Sequence, residues 1–323
     1  MKNRILFLLI FSLVLGFGVE ARAYEIQTLS GTQSNGDFVL GPSKIEIDIS
    51  PGEGVSRNIM VTNRLGRTMD FKIEVEDFSG SYDFDNPVVW FGSEDGPYPL
   101  RNYITPEIEK FTLEQGQRIV IPVEINIPED SEAGGLYASV LVSNVPSDRE
   151  IEENKSGTIA ISRLGTLFFV KVEGNINEYG FLKDFRTIGG KNIYEKGPVS
   201  FAAVFQNEGN VHLAPYGRID IENILGKKVG EIEVKNFMVM PNSARERVLE
   251  WDGGFLLGKY TAHLTLDKNY QPGSEINTEE YKSISFWVIP WKTIVPAIIL
   301  IATILYAIRY ILKKFKFEVK KKQ

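Results

Sequence analysis

The chain has no cysteine and only two histidines in 323 residues. The first absence excludes disulfides, zinc–thiolate centres and thiol nucleophiles. The second leaves His212 and His263 as the only imidazoles, and a metal site would need several carboxylates converging on them. No H-E-x-x-H, G-x-S-x-G or Walker-type glycine loop occurs. No amphipathic helical stretch stands out in the body of the chain. Positive charge is scarce there too: between Tyr24 and Trp291, 25 lysines and arginines face 40 aspartates and glutamates, a net −15. So acidic a surface argues against nucleic acid or an anionic bilayer as the main partner. The expectation is a non-enzymatic protein with no cofactor, no metal and no catalytic residues. A glycosidase-type carboxylate pair is the one chemistry left open, because its geometry is spatial and not sequential.

What is present begins at the two ends. Met1-Lys2-Asn3-Arg4 carries positive charge ahead of an apolar run from Ile5 to Val19, and Ala21-Arg22-Ala23 then offers small residues for cleavage before Tyr24. That order describes a secretory signal peptide over residues 1–23, the alternative being an uncleaved N-terminal anchor. Near the other end, Thr293 to Leu312 reads as a membrane span over residues 290–312, since about 20 helical residues cover about 30 Å of hydrocarbon. Trp287 and Trp291 flank it outside and Tyr306 and Tyr310 inside, as interfacial aromatics do. Lys313 and Lys314 open a basic tail over residues 313–323 that places the C-terminus in the cytoplasm. The expected location is the cell membrane, single-pass, with the body of the chain extracytoplasmic.

Between the ends the hydrophobic period is two. Ile45, Ile47 and Ile49 alternate with charged neighbours, as do Phe71, Ile73 and Val75, the odd positions from Ile119 to Ile127, and the even ones from Leu136 to Val142. Val199 to Phe205, Tyr260 to Leu266 and Ile284 to Val288 repeat the pattern. Such alternation marks strands with one face on a core and one in water. Turns with Gly, Pro and Asn separate them at Pro51-Gly52, Asn63–Gly66, Glu114–Gln117 and Asn207–Asn210. The expected fold is all-β, two tandem immunoglobulin-like β-sandwiches over residues 24–174 and 175–289 plus one C-terminal transmembrane helix. Val61-Thr62-Asn63-Arg64-Leu65-Gly66 and Phe205-Gln206-Asn207-Glu208-Gly209-Asn210 echo each other, each a strand leaving its sheet through an Asn/Gly turn.

Two segments exceed hairpin length. The first, from about Ser79 to Thr105, carries Trp90, Phe91, Tyr98 and Tyr103, the candidate binding residues. Their aromatics either contact a ligand or cover an open end of the sandwich. The second, about Pro146 to Gly157, is polar and acidic. Glu74-Val75-Glu76-Asp77, Asp83-Phe84-Asp85-Asn86 and Glu94-Asp95-Gly96 offer oxygens for Ca²⁺, but none follows an EF-hand pattern, and a solvated face is the plainer reading.

Three stretches carry a family resemblance. They are Ile49-Ser50-Pro51-Gly52-Glu53 through Val61-Thr62-Asn63 followed by Phe71 to Phe78, Phe111-Thr112-Leu113-Glu114-Gln115-Gly116-Gln117, and Ile125-Asn126-Ile127-Pro128-Glu129-Asp130 followed by Ala133-Gly134-Gly135-Leu136-Tyr137-Ala138. In order and spacing, from Phe38 to Gly174, they resemble the N-terminal domain of WxL-interacting cell-surface proteins. The resemblance implies a cell-envelope adaptor, its first domain associated with peptidoglycan and its second with a surface-protein partner. It transfers no ligand residue. A periplasmic-chaperone-like accessory for the assembly of surface structures is the alternative.

Overall fold

The computed structural model describes residues 24–146, 161–254, 256–268 and 280–314. The expected signal peptide, most of the acidic segment after Pro146 and the tail beyond Lys314 lie outside these residues. The chain divides into two compact units, one of Met1–Ser79 with Val89–Ile176, the other of Gly80–Val88 with Asn177–Gln323.

The strands of the first unit are, in chain order, β1 (Glu25–Thr28), β2 (Asp37–Gly41), β3 (Lys44–Ile49), β4 (Gly54–Arg64), β5 (Met69–Gly80), β6 (Val88–Trp90), β7 (Ile104–Pro106), β8 (Lys110–Leu113), β9 (Gln117–Asn126), β10 (Gly134–Val145) and β11 (Arg163–Val172). One sheet runs β1-β9-β4-β2 with β7 also on β9; the other runs β3-β11-β10-β5-β6 with β8 also on β5. Alternation does its expected work. Ile59 and Val61 of β4, Ile119 to Ile125 of β9, and Ala138, Val140 and Val142 of β10 bury their side chains in one core. Each fully buried side chain of this kind contributes about 1.5–3 kcal/mol.

The second unit holds β12 (Gly180–Thr187), β13 (Ile193–Tyr194), β14 (Val199–Asn207), β15 (Tyr216–Asn223), β16 (Lys228–Val234), β17 (Ser243–Trp251), β18 (Gly258–Asp267) and β19 (Glu280–Val288). Its sheets are β12-β14-β17 and β13-β19-β18-β15-β16, around a separate core built on Phe201, Phe205, Trp251 and Phe286.

The two units share one plan. In each, the opening segment is split between the sheets: β2 pairs antiparallel with β4 and β3 parallel with β11, while β12 pairs antiparallel with β14 and β13 parallel with β19. These two parallel pairs stand beside antiparallel neighbours in both units. A two-residue β13 and a six-residue β3 carry no sequence mark of strand direction.

The echoed asparagines are the same device used twice. Asn63 and Asn207 are fully buried. Asn63 Oδ1 accepts the N–H of Leu65, and its Nδ2 donates to the carbonyls of Arg67 and Leu113. Asn207 Oδ1 accepts the N–H of Gly209, and its Nδ2 donates to the carbonyls of Val211 and Val239. Each amide thus closes the turn after its strand and ties it to a distant segment.

Val288 is followed by Ile289 and Pro290, and α1 (Trp291–Lys314) then begins. The carbonyl of Pro290 accepts the N–H groups of Thr293 and Ile294. The helix is therefore one half-turn longer at its start than Thr293 suggests. Pro296 falls at its sixth residue, where it removes the hydrogen bond to Lys292 C=O.

Candidate functional site

The segment after β5 is ordered by a buried acid. Phe71, Ile73 and Val75 of β5 face the core, and the next position in that row is Asp77, fully buried. Its Oδ1 accepts the N–H groups of Leu100 (3.1 Å) and Arg101 (2.8 Å), and its Oδ2 that of Gly96 (3.1 Å). Hydrogen bonds from backbone amides to a carboxylate are worth about 1.5–3 kcal/mol each, enough to hold a chain segment in one place. The pin lets Leu100 enter the core and leads into a 3₁₀ turn over Arg101–Tyr103.

The other acids near it are engaged as well. Glu74 is held below the usual carboxylate range, first by its hydrogen bond from Lys72, with the charges of Lys72 and Arg163 adding to it. Glu76 receives Arg163 at 2.6 Å. The acidic stretch is therefore committed to a loop and to two basic side chains. Asp83 likewise accepts hydrogen bonds from Asp85 N–H and the Asn86 side chain within its own turn.

Beside this pin, the outer face of the six-stranded sheet carries aromatics where alternation calls for polar residues. Phe78 on β5, Tyr137 on β10 and Phe169 on β11 form a row across three adjacent strands, Phe78–Tyr137 at 6.0 Å and Tyr137–Phe169 at 5.6 Å between ring centroids. Trp90 on β6 extends it at 5.6 Å from Phe78. Lys44 Nζ stands 6.0 Å over the Phe169 ring at the far end. Tyr98 packs edge-on to Tyr137 at 5.9 Å, and its carbonyl accepts the Tyr137 N–H. The Gly-Gly entry to β10 has its reason here: a Cβ at Gly135 would lie 1.9 Å from the Tyr137 hydroxyl, so only glycine lets that side chain lie back along the strand.

The four candidate aromatics thus part company. Tyr98 seals the row. Phe91 is half-buried, with its N–H on the carbonyl of Asp77 and its ring against Gly96. Tyr103 packs on the core. Trp90 alone of the four presents a largely free face, 48% exposed, at the end of a supported row. Phe78, Tyr137 and Phe169 were not anticipated. Their available signal is the pairing of consecutive apolar residues, Leu136-Tyr137 and Phe168-Phe169, which breaks strict alternation and means that both faces are covered.

A groove of about 460 Å³ lies along the outer edge of β5 between β8 and β6, lined among others by Lys72, Glu74, Glu76, Arg101 and Glu109. Its charges are mixed, and it singles out no ligand class. At the other end of the chain, Trp287 lies in β19 and Trp291 opens α1, both exposed. Lys292 stands 5.6 Å over the Trp291 ring, and Lys314 takes the same position over Tyr310. Lys313 and Lys314 form the last turn of the helix. The helix is apolar between Lys292 and Arg309, none of its residues is buried, and at about 36 Å it is long enough to cross a bilayer. Among the described residues no group of three or more acids and histidines is placed to hold a metal ion.

No family model matches the chain, and no curated protein matches it. Solved structures match loosely. A chaperone–tip adhesin complex of CFA/I fimbriae biogenesis is 13% identical, over 79% of this chain and 99% of that one, with a TM-score of 0.41. The class 5 fimbriae chaperone CfaA is 12% identical, over 77% and 99%, with a TM-score of 0.41. The E. coli chaperone DraB is 13% identical, over 78% and 97%, with a TM-score of 0.36. Likenesses at this level transfer no function to the present chain.

Proposed function

We propose that this chain is a non-catalytic, membrane-held binding protein of the cell envelope, and that its first unit contacts peptidoglycan or a surface protein through Trp90. One observation carries the reading. Trp90 is an exposed indole on an edge strand, backed by Phe78, Tyr137 and Phe169, which are themselves buried. An exposed ring held rigid by a buried row loses little freedom on binding and can stack on a sugar ring or fill a protein pocket. The apolar α1 supplies the means of retention, and the resemblance of Phe38–Gly174 to WxL-interacting proteins points to the same class of partner.

The test is retention of the full chain, in lipid nanodiscs, on purified peptidoglycan and on a panel of surface proteins. Trp90→Ala should lower retention about tenfold, the loss typical of one interface anchor, while thermal unfolding shifts by no more than about 2 °C because the ring is already half in water. Unchanged retention by a folded Trp90→Ala protein sinks the proposal. A second reading, an accessory in assembling surface structures, is favoured by one feature, the strand edge of the second unit.

A further inference from the structure

The shared plan of the two units makes β9 and β17 counterparts: counted from β2 and from β12, each is the third strand of its sheet, beside the strand that ends in the buried asparagine. Their outer edges differ. On β9 the edge is taken by β1 along residues 117–120 and by β7 along 123–125. On β17, among the described residues, no strand pairs with the side away from β14. Ala244 N–H donates to Ser81 O and not to β14, so by strand alternation Glu246, Val248 and Glu250 also direct their backbone N–H and C=O groups outward.

The inward row of the same strand is unusual. Leu249 and Trp251 enter the core, but the two preceding members of the row, opposite Ala203 and Phe205, are Arg247 and Arg245. Arg245 donates to the carbonyl of Met238 (2.9 Å). Its guanidinium is held below the usual arginine value, first by burial and then by the positive charge of Arg247. Among the described residues the Arg247 side chain makes no hydrogen bond or ion pair, and its Nε is buried without a partner. The nearby Glu246 is on the other face, where it receives Arg186. Two arginines therefore stand at alternate positions of the strand, about 7 Å apart at their Cα atoms, on an edge that is open beyond Ala244, and the one acid between them in sequence, Glu246, lies on the other face.

We infer that the edge of β17 receives an extended acidic segment of a partner protein, added as a further strand, with carboxylates at alternate positions pairing with Arg245 and Arg247. Open N–H and C=O groups at Glu246, Val248 and Glu250 supply the ladder, which any sequence can join. The arginines supply the selection, because a guanidinium takes a carboxylate through two parallel hydrogen bonds and cross-strand side chains lie about 5 Å apart. On the outer face Val248, 52% exposed, favours an apolar neighbour in the incoming strand. The inference concerns the second unit and stands or falls apart from Trp90.

The experiment uses the full chain in nanodiscs and an acetylated ten-residue peptide with glutamate at every second position and valine or threonine between. Fluorescence anisotropy and hydrogen exchange are the two readouts. The glutamate peptide should bind at least tenfold more tightly than the same peptide with lysine, weaken as salt rises, and slow exchange at the amides of Glu246, Val248 and Glu250. Arg247→Gln should weaken it at least fivefold. Val248→Pro should abolish binding and leave the fold intact, because the N–H it removes points away from β14 and proline is tolerated on an edge. Three outcomes overturn the inference: equal binding of the lysine peptide, undiminished binding to Val248→Pro, or no binding to the wild type together with self-association of the Arg245→Gln/Arg247→Gln protein. The last would make the arginines guards against edge-to-edge pairing only.

Discussion

At the residue scale, the most telling groups are polar side chains sealed inside apolar surroundings. Asn63 and Asn207 each join three backbone groups around the turn that follows their strand. Alanine at either position removes three hydrogen bonds made by a buried amide, at about 1–3 kcal/mol for each backbone group that neither water nor another donor or acceptor then satisfies. Either substitution should lower unfolding free energy by about 2–4 kcal/mol in urea titration, and a loss below about 1 kcal/mol would mean that water replaces the amide. Asp77 works on the same principle with a charge. The loop it holds is also the loop that covers Tyr137, so one carboxylate links the core of the first unit to its outer aromatic row.

Elements are decided by what lies beside them. Sequence alternation places Ile119 to Ile125 on one face of β9, yet it says nothing about which edges of that strand are occupied. The answer comes from β1, ninety residues distant in the chain, whose Ile26 is exposed and adds little apolar burial. Replacing residues 25–28 with a Gly/Ser sequence should therefore cost only about 1 kcal/mol, the scale of a few net backbone hydrogen bonds. Hydrogen exchange at the outward amides of residues 117–120 should quicken markedly at the same time. Unaltered exchange there would show that β1 does not guard the edge in solution. The aromatic row on β5, β10 and β11 follows a similar logic: Tyr98 lies against Tyr137, Trp90 against Phe78 and Lys44 over Phe169.

For the whole molecule, the order of parts is two sandwiches and then a helix, with only Ile289 and Pro290 between β19 and α1. The Trp291 N–H already bonds the carbonyl of Ile289, and Lys292 pairs with Glu195 at 2.8 Å, so the start of the helix is fastened to the second unit. A chain ended after Ile289 should move from the membrane to the soluble fraction with its strand content unchanged by circular dichroism. If it stays with the membrane in high salt, α1 is not the main anchor. The apolar length of α1 suits it to a bilayer, because between its terminal turns every backbone group but the carbonyl facing Pro296 has an intrahelical partner.

By itself the sequence determined the class of the fold, the strands with strict alternation, the two-unit plan and the apolar helix, since each follows from a local period of side-chain polarity. It also marked Asn63 and Asn207, whose surrounding hexapeptides repeat. Only the tertiary structure decided the parallel pairing of β3 and β13, the burial of Phe78, Tyr137 and Phe169 on a face that alternation assigns to water, and the openness of β17. These depend on which distant segment comes to lie on a face or an edge. A period of two tells which way a side chain points but not what it meets there, and that is why Trp90, Tyr98, Phe91 and Tyr103, alike in sequence, ended in four different surroundings.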